Sequence, residues 1–217
     1  MVTALSILRV SVKVDRHNHA DEQRAPITSC GVATGCKPAV GDRSLYRELD
    51  RIGRIRLSRS FFFRDFLHSE IAAAYGIINK PENLDLAVEA GSRLCVELLE
   101  PLQEEFGPIR IRSGYRSAAL NAFGHEHHLN CASNEKNYAA HIWDRLDDEG
   151  RKGASACVVI PSLLDAKGSS ESAQKTIVAW AKSYPSCDHI RFFKQPATFN
   201  IGWTDCIHRW VSESFSN

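Results

Sequence analysis

His125-Glu126-His127-His128-Leu129 is the stretch of this chain that comes nearest to a known metal pattern. In H-E-x-x-H, two imidazoles one helical turn apart bind zinc and the glutamate beside the first serves as base. The second ligand position here is Leu129, so the pattern fails and the stretch reads as an exposed polar loop. His17 and His19 stand close together, but solvated polar residues are the simpler account of that segment. His68 and His189 have no partner at ligand spacing and read as surface or hydrogen-bonded histidines. Trp143 and Trp203 suit core packing better than the wall of a cleft. The seven cysteines, Cys30, Cys36, Cys95, Cys131, Cys157, Cys187 and Cys206, are odd in number, scattered, and free of any C-x-x-C. That spacing excludes a zinc ribbon and a thioredoxin-type pair, and argues against a disulfide framework. The thiols read as reduced, mostly buried small hydrophobes, in keeping with a cytoplasmic protein.

Any such residues need elements to hold them. The chain has 217 residues, 43% of them hydrophobic, which suits one domain plus a tail. Lys+Arg number 27 against 26 Asp+Glu, so no basic excess argues for a nucleic-acid partner. The basic run Arg51 to Arg56 reads as a solvated face. No stretch approaches the ~20 apolar residues of a membrane span. The opening Met1 to Arg9 lacks a basic leader, so no signal peptide is expected and the default location is cytoplasmic.

Residues 1–56 show no sustained apolar period and are punctuated by Gly31, Gly35, Pro38 and Gly41; a disordered extension is expected there. Order is expected from Leu57, so residues 57–217 form the domain. A helical pattern runs through Ile71 and Tyr75 to a stop at Gly76, and Pro81 stands where the first turn of the next helix should begin. Leu84, Val88, Gly91, Cys95, Leu98, Leu102 and Phe106 then mark one long amphipathic helix ending at Gly107-Pro108. Gly91 on that stripe suggests a close helix approach. Ile109 to Arg112 is a short strand, Ser113-Gly114 a turn, and Tyr115-Arg116-Ser117 leads into a second helix. Ser155 to Ile160 is a buried strand, Ser169 to Tyr184 a helix, and His189–Phe193, Thr198–Trp203 and Ile207–Val211 are late strands. Helices first and strands late give an α+β class with an antiparallel sheet.

The order Leu57-Ser58-Arg59-Ser60-Phe61, Ile71 to Pro81, Leu98-Leu99-Glu100-Pro101-Leu102, Phe106 to Ile111, Ser113-Gly114-Tyr115-Arg116-Ser117 and Leu120-Asn121 resembles the zinc D-Ala-D-Ala carboxypeptidases of bacteria and phages. The resemblance implies the hedgehog/DD-peptidase type of α+β fold, with helices packed on a small antiparallel sheet. It also implies a zinc-dependent hydrolase that acts on peptidoglycan peptides. Within it, Arg116 matches the arginine that holds substrate or the developing oxyanion, a role suited to a guanidinium fork.

The family's metal pattern, S-x-H-x-x-G-x-A-x-D with a later histidine on a strand, is matched less closely. His141 is the histidine in the right region, and Gly153 to Cys157 fits the small-residue portion with Cys157 where the family has aspartate. In that register residues 142–152 are an insertion. Asp148 stands at the family spacing from His141, and Asp144 is a further carboxylate for the third position. Asp205 and His208, three apart, resemble a D-x-x-H in which the aspartate is the base and the histidine the last ligand. The resemblance thus implies Zn2+ held by His141, Cys157 and His208, with Asp205 and Arg116 as catalytic residues. The departures at Cys157 and at the insertion leave a second expectation, an inactive peptidoglycan-binding or phage-derived structural module of the same fold.

Overall fold

The computed structural model describes residues 43–164, 170–194, 197–206 and 212–215. All of them fall within the unit Gly41–Asn217. Within residues 1–56, the segment 43–56 is not an unstructured extension: α1 (Arg43–Gly53) is a helix, and Ile52 is buried in the core. Its apolar positions are too few to stand out in a window otherwise full of charge. The remainder of the expected extension lies outside the described residues.

α2 (Arg64–Leu67) and α3 (Glu70–Tyr75) are short. Ser69 Oγ caps α3 by accepting the Ala72 N–H, and Gly76 ends it in the left-handed conformation. α4 (Leu84–Leu94) begins three residues after Pro81, because Asn83 takes the capping position and its side chain accepts the Leu86 N–H at 3.2 Å. A π turn, Cys95–Leu99, joins α4 to α5 (Glu100–Phe106), with the Glu100 N–H reaching back to the Cys95 carbonyl. The widened turn falls just before Pro101, which has no N–H to continue an ordinary ladder. One apolar stripe therefore runs from Leu84 to Phe106 as the spacing predicts, with a bulge that spacing does not reveal.

β1 (Arg110–Ser113) leads to α6 (Ala118–Glu126), whose N-cap is Ser117. α7 (Asn134–Asn137) and a long loop precede β2 (Gly153–Val159). α8 (Pro161–Leu164), α9 (Ser170–Ala181), β3 (Cys187–Phe192), β4 (Thr198–Thr204) and β5 (Ser212–Phe215) follow. The sheet order is β1-β2-β4-β3-β5. The first four strands pair antiparallel, as expected, and β5 joins β3 in parallel. The expected strand over residues 207–211 lies outside the described residues.

Strand alternation sorts the sheet into two faces. Ala154, Ala156, Val158, Ile190, Phe192, Phe199, Ile201 and Trp203 belong to the apolar core with Ala87, Ala90 and Leu94 of α4. Small residues on both partners let helix and sheet come close. Trp203 is fixed further by its Nε1–H to Glu97 Oε2 at 2.8 Å. The close approach at Gly91 is made by a side chain and not by a helix, because a Cβ there would lie 2.7 Å from the Trp143 ring. Trp143 is fully buried with Phe63, Phe66 and Tyr115 around it. The other face of the sheet carries Ser155, Cys157, His189, Asn200, Gly202 and Thr204, and it is here that chemistry-bearing residues collect.

Candidate functional site

The loop after α7 places His141 on the polar face. Ala139 adopts a positive φ of 53°, and its carbonyl packs so close to Gly153 that a Cβ there would lie 2.1 Å away. Ser155 N–H donates to the Ala140 carbonyl at 2.8 Å, and Arg116 N–H donates to the His141 carbonyl at 2.8 Å. Trp143 Nε1–H donates to the Ser155 carbonyl at 3.2 Å. Pinned from the strand and from the turn, the loop buries the His141 ring almost completely.

That ring has one chemical form. Its Nδ1 donates to the Gly114 carbonyl at 2.8 Å, and burial, with repulsion from Arg116, lowers its pKa to about 3. His141 is thus neutral with the proton on Nδ1, and Nε2 is left as an acceptor. Asn200 Nδ2 stands 3.3 Å from Nε2 and supplies the donor. This fixes the carboxamide orientation: Asn200 Oδ1 must point away, and it is buried with no hydrogen-bond partner.

Cys157 is the cross-strand partner of Asn200. Burial pushes its thiol up to about 11, against the opposing pull of Arg112 and Arg116. Arg116 sits beside both His141 and Cys157, with its guanidinium donating to Cys131 Sγ at 3.6 Å. The turn that carries it is held by Asn79, whose amide donates to the Leu67 and Tyr115 carbonyls and whose Oδ1 accepts the Ser117 N–H at 2.8 Å. Gly114 in that turn packs on Phe66, 2.7 Å from where a Cβ would be.

The structure therefore brings together His141, Cys157 and Arg116, and adds Asn200 to them. Asp205 is placed elsewhere: it is exposed beyond the end of β4, where Oδ1 accepts the Lys152 N–H at 3.1 Å. Five residues of extended chain separate it from Asn200, roughly 16 Å at strand rise. Asp148 is exposed in the loop, and Asp144 is buried but spends Oδ2 on the N–H groups of Glu82 and Asn83 ahead of α4. His208 lies outside the described residues. His125 to His128 are exposed, although the first two belong to the end of α6 and not to a loop.

Sequence reasoning missed Asn200; His189 is a hydrogen-bonded histidine, one of the two readings its isolation in the sequence left open. Asn200 stands between Phe199 and Ile201, a polar break in an apolar strand that marks it as facing away from the core. His189 has its chain neighbour Asp188 at Nδ1, and at Nε2 it has Ser155, a partner that strand register supplies and sequence spacing hides.

A catalytic zinc shell needs three protein donors around an open position. His141 has the tautomer that a metal-bound histidine takes, with Nδ1–H on a backbone carbonyl, but its outer nitrogen is engaged by Asn200. Cys157 is held as a thiol. Among the described residues no three His, Cys, Asp or Glu side chains group to hold a metal ion. Of the ligand set that the resemblance implies, the described residues hold His141 and Cys157. Comparison with protein-family models, with curated proteins and with solved structures gives no match to this chain. Among the described residues, no helix is long and apolar enough to cross a membrane.

Proposed function

We propose that the chain is a peptide-binding module of D,D-peptidase type, which holds the carboxylate-bearing ends of peptidoglycan peptides on the polar face of its sheet without cleaving them. The observation that carries this reading is the Asn200 carboxamide, with Nδ2 spent on His141 and Oδ1 buried and unpartnered. A buried acceptor with no donor is costly unless a ligand or an ordered water completes it, and a peptide N–H is such a donor. Arg112 and Arg116 flank Cys157 and supply the charge that a terminal carboxylate needs.

The test is equilibrium binding of a D-Ala-D-Ala-terminated peptide and of its C-terminal amide to the wild-type chain and to Arg116→Ala. The expected result is saturable binding of the free acid, weakened on the order of 10-fold by amidation or by the substitution, as one charged hydrogen-bonded pair commands. Equal binding of acid and amide, or none of either, overturns it. A second reading, the zinc-dependent D,D-peptidase-like hydrolase, is favoured by the Gly114-held tautomer of His141 and keeps His208 as a further ligand. About one zinc per chain, lost in His141→Ala and accompanied by peptide cleavage, would replace the first reading with this one.

A further inference from the structure

Asp188, His189 and Ser155 form a second arrangement on the same face, which neither the resemblance nor the peptide-binding reading uses. Asp188 Oδ2 lies 2.8 Å from His189 Nδ1, which places the imidazole proton there and leaves Nε2 as an acceptor. Ser155 Oγ lies 3.5 Å from that Nε2. Serine, imidazole and carboxylate thus stand in the sequence of contacts that activates a hydroxyl, and such contacts are commonly loose before substrate binds. The ring has a prepared seat: a Cβ on Gly202 would lie 2.2 Å from His189 Cε1 and 2.9 Å from Ser155 Oγ, so only glycine leaves room for both groups. His189 and Asp188 also line a cavity of about 210 Å3 with Lys136, Tyr138, Arg151 and Thr204.

We infer that Ser155, His189 and Asp188 form an acyl-transfer site for esters of small acyl groups that enter through this cavity. Ser155 is 1% exposed and stands behind His189, which is the member of the set on the cavity wall together with Asp188. In the step, Oγ bonds to the ester carbonyl carbon while its proton passes to His189 Nε2. Asp188 holds the resulting imidazolium in place. The bond to the leaving oxygen then breaks, and that oxygen takes the proton from His189 to depart as an alcohol. Water repeats the sequence on the acyl-serine, releasing a carboxylic acid and restoring the hydroxyl.

The experiment treats the full chain with a fluorophosphonate probe, reads intact mass and the modified residue, and measures p-nitrophenyl acetate turnover in parallel. One adduct on Ser155 is expected, absent from Ser155→Ala. Labelling and turnover should slow on the order of 10²-fold in His189→Asn, the usual share of a general base. Asp188→Asn is nearly isosteric at a partly exposed position and should slow both by a factor of about 10 or more, with urea unfolding run beside it to read the fold. No adduct, an adduct on another residue, or an unchanged rate in Asp188→Asn overturns the proposal. Peptide binding at Arg116 is a separate measurement, so failure of either site leaves the other standing.

Discussion

Glu100 and Asn200 are both polar side chains drawn into the interior, and their surroundings treat them in opposite ways. Glu100 Oε1 accepts from Ser58 Oγ at 2.7 Å and from Ser60 N–H at 2.6 Å, while Oε2 accepts from Ser60 Oγ at 2.9 Å and Arg59 at 3.2 Å. Burial pushes that carboxyl up, but these bonds outweigh it and hold the group below the usual carboxylate range. Asn200 spends its nitrogen on His141 and leaves its oxygen unpartnered. A polar group with every lone pair used is architecture, here tying the Leu57–Phe61 turn to α5. One with an atom unspent is where a ligand has something to gain. Tyr115 Oη and Asp144 Oδ1 are likewise buried, but they act on each other.

The comparison breaks first at Glu100. Glu100→Ala removes four hydrogen bonds to one charged acceptor, so a loss of about 3 kcal/mol or more in urea unfolding is expected. Peptide affinity of the folded fraction should be unchanged. A loss below about 1 kcal/mol, or an accompanying loss of binding, would erase the distinction between the two clusters.

His141 gives a pH-dependent effect that is absent at neutral pH. Its folded pKa is lowered from 6.5 to about 3, so between those values the unfolded chain binds the extra proton. The stabilisation from keeping it neutral is complete above about pH 6.5 and is lost as pH falls toward 3. By pH 4 the loss reaches about 3 kcal/mol from this group. Carboxylates titrate over the same range, so the measurement is the difference in unfolding free energy between wild type and His141→Gln from pH 7 to pH 4. A difference that stays flat over that window would mean that the ring is not sealed against protons.

Much of the scaffold is legible from residue order. The stripe from Leu84 to Phe106 and the apolar run of β2 are local patterns, and local patterns survive without knowledge of the partner. α1 escaped because charge surrounds its few apolar positions, and the bulge at Cys95–Leu99 escaped because it leaves the stripe intact. At the site, motif singles out His141, Cys157 and Arg116, and the structure joins them through the Asn200 contacts and the Arg116–His141 backbone bond, which bear on their placement and not on their roles. Asp205 was not brought to them, because a three-residue spacing says nothing about which end of a strand a residue occupies. Asn200 and the Asp188–His189–Ser155 set depend on cross-strand register, which pairs Cys157 with Asn200 and Ser155 with Gly202. Register is a tertiary fact and has no signature in a single strand.

Asn200 itself offers the smallest stability effect and the sharpest form of the comparison. Asn200→Ala removes the donor to His141 Nε2, which costs about 1 kcal/mol, and at the same time removes the unpartnered Oδ1, which returns part of that cost. The net change in unfolding free energy should therefore stay within about 1 kcal/mol, well below that of Glu100→Ala. Peptide affinity should nevertheless fall on the order of 10-fold, because the acceptor offered to the ligand is gone. Asn200→Asp separates the two roles: it keeps an acceptor where Oδ1 stood but loses the donor to His141, and it sets a charge beside Arg112 and Arg116 that competes with a ligand carboxylate. If Asn200→Ala binds peptide as wild type does while losing several kcal/mol of stability, Asn200 belongs with Glu100 as a strut. If stability holds and affinity drops, the unspent oxygen is what the polar face presents to its ligand.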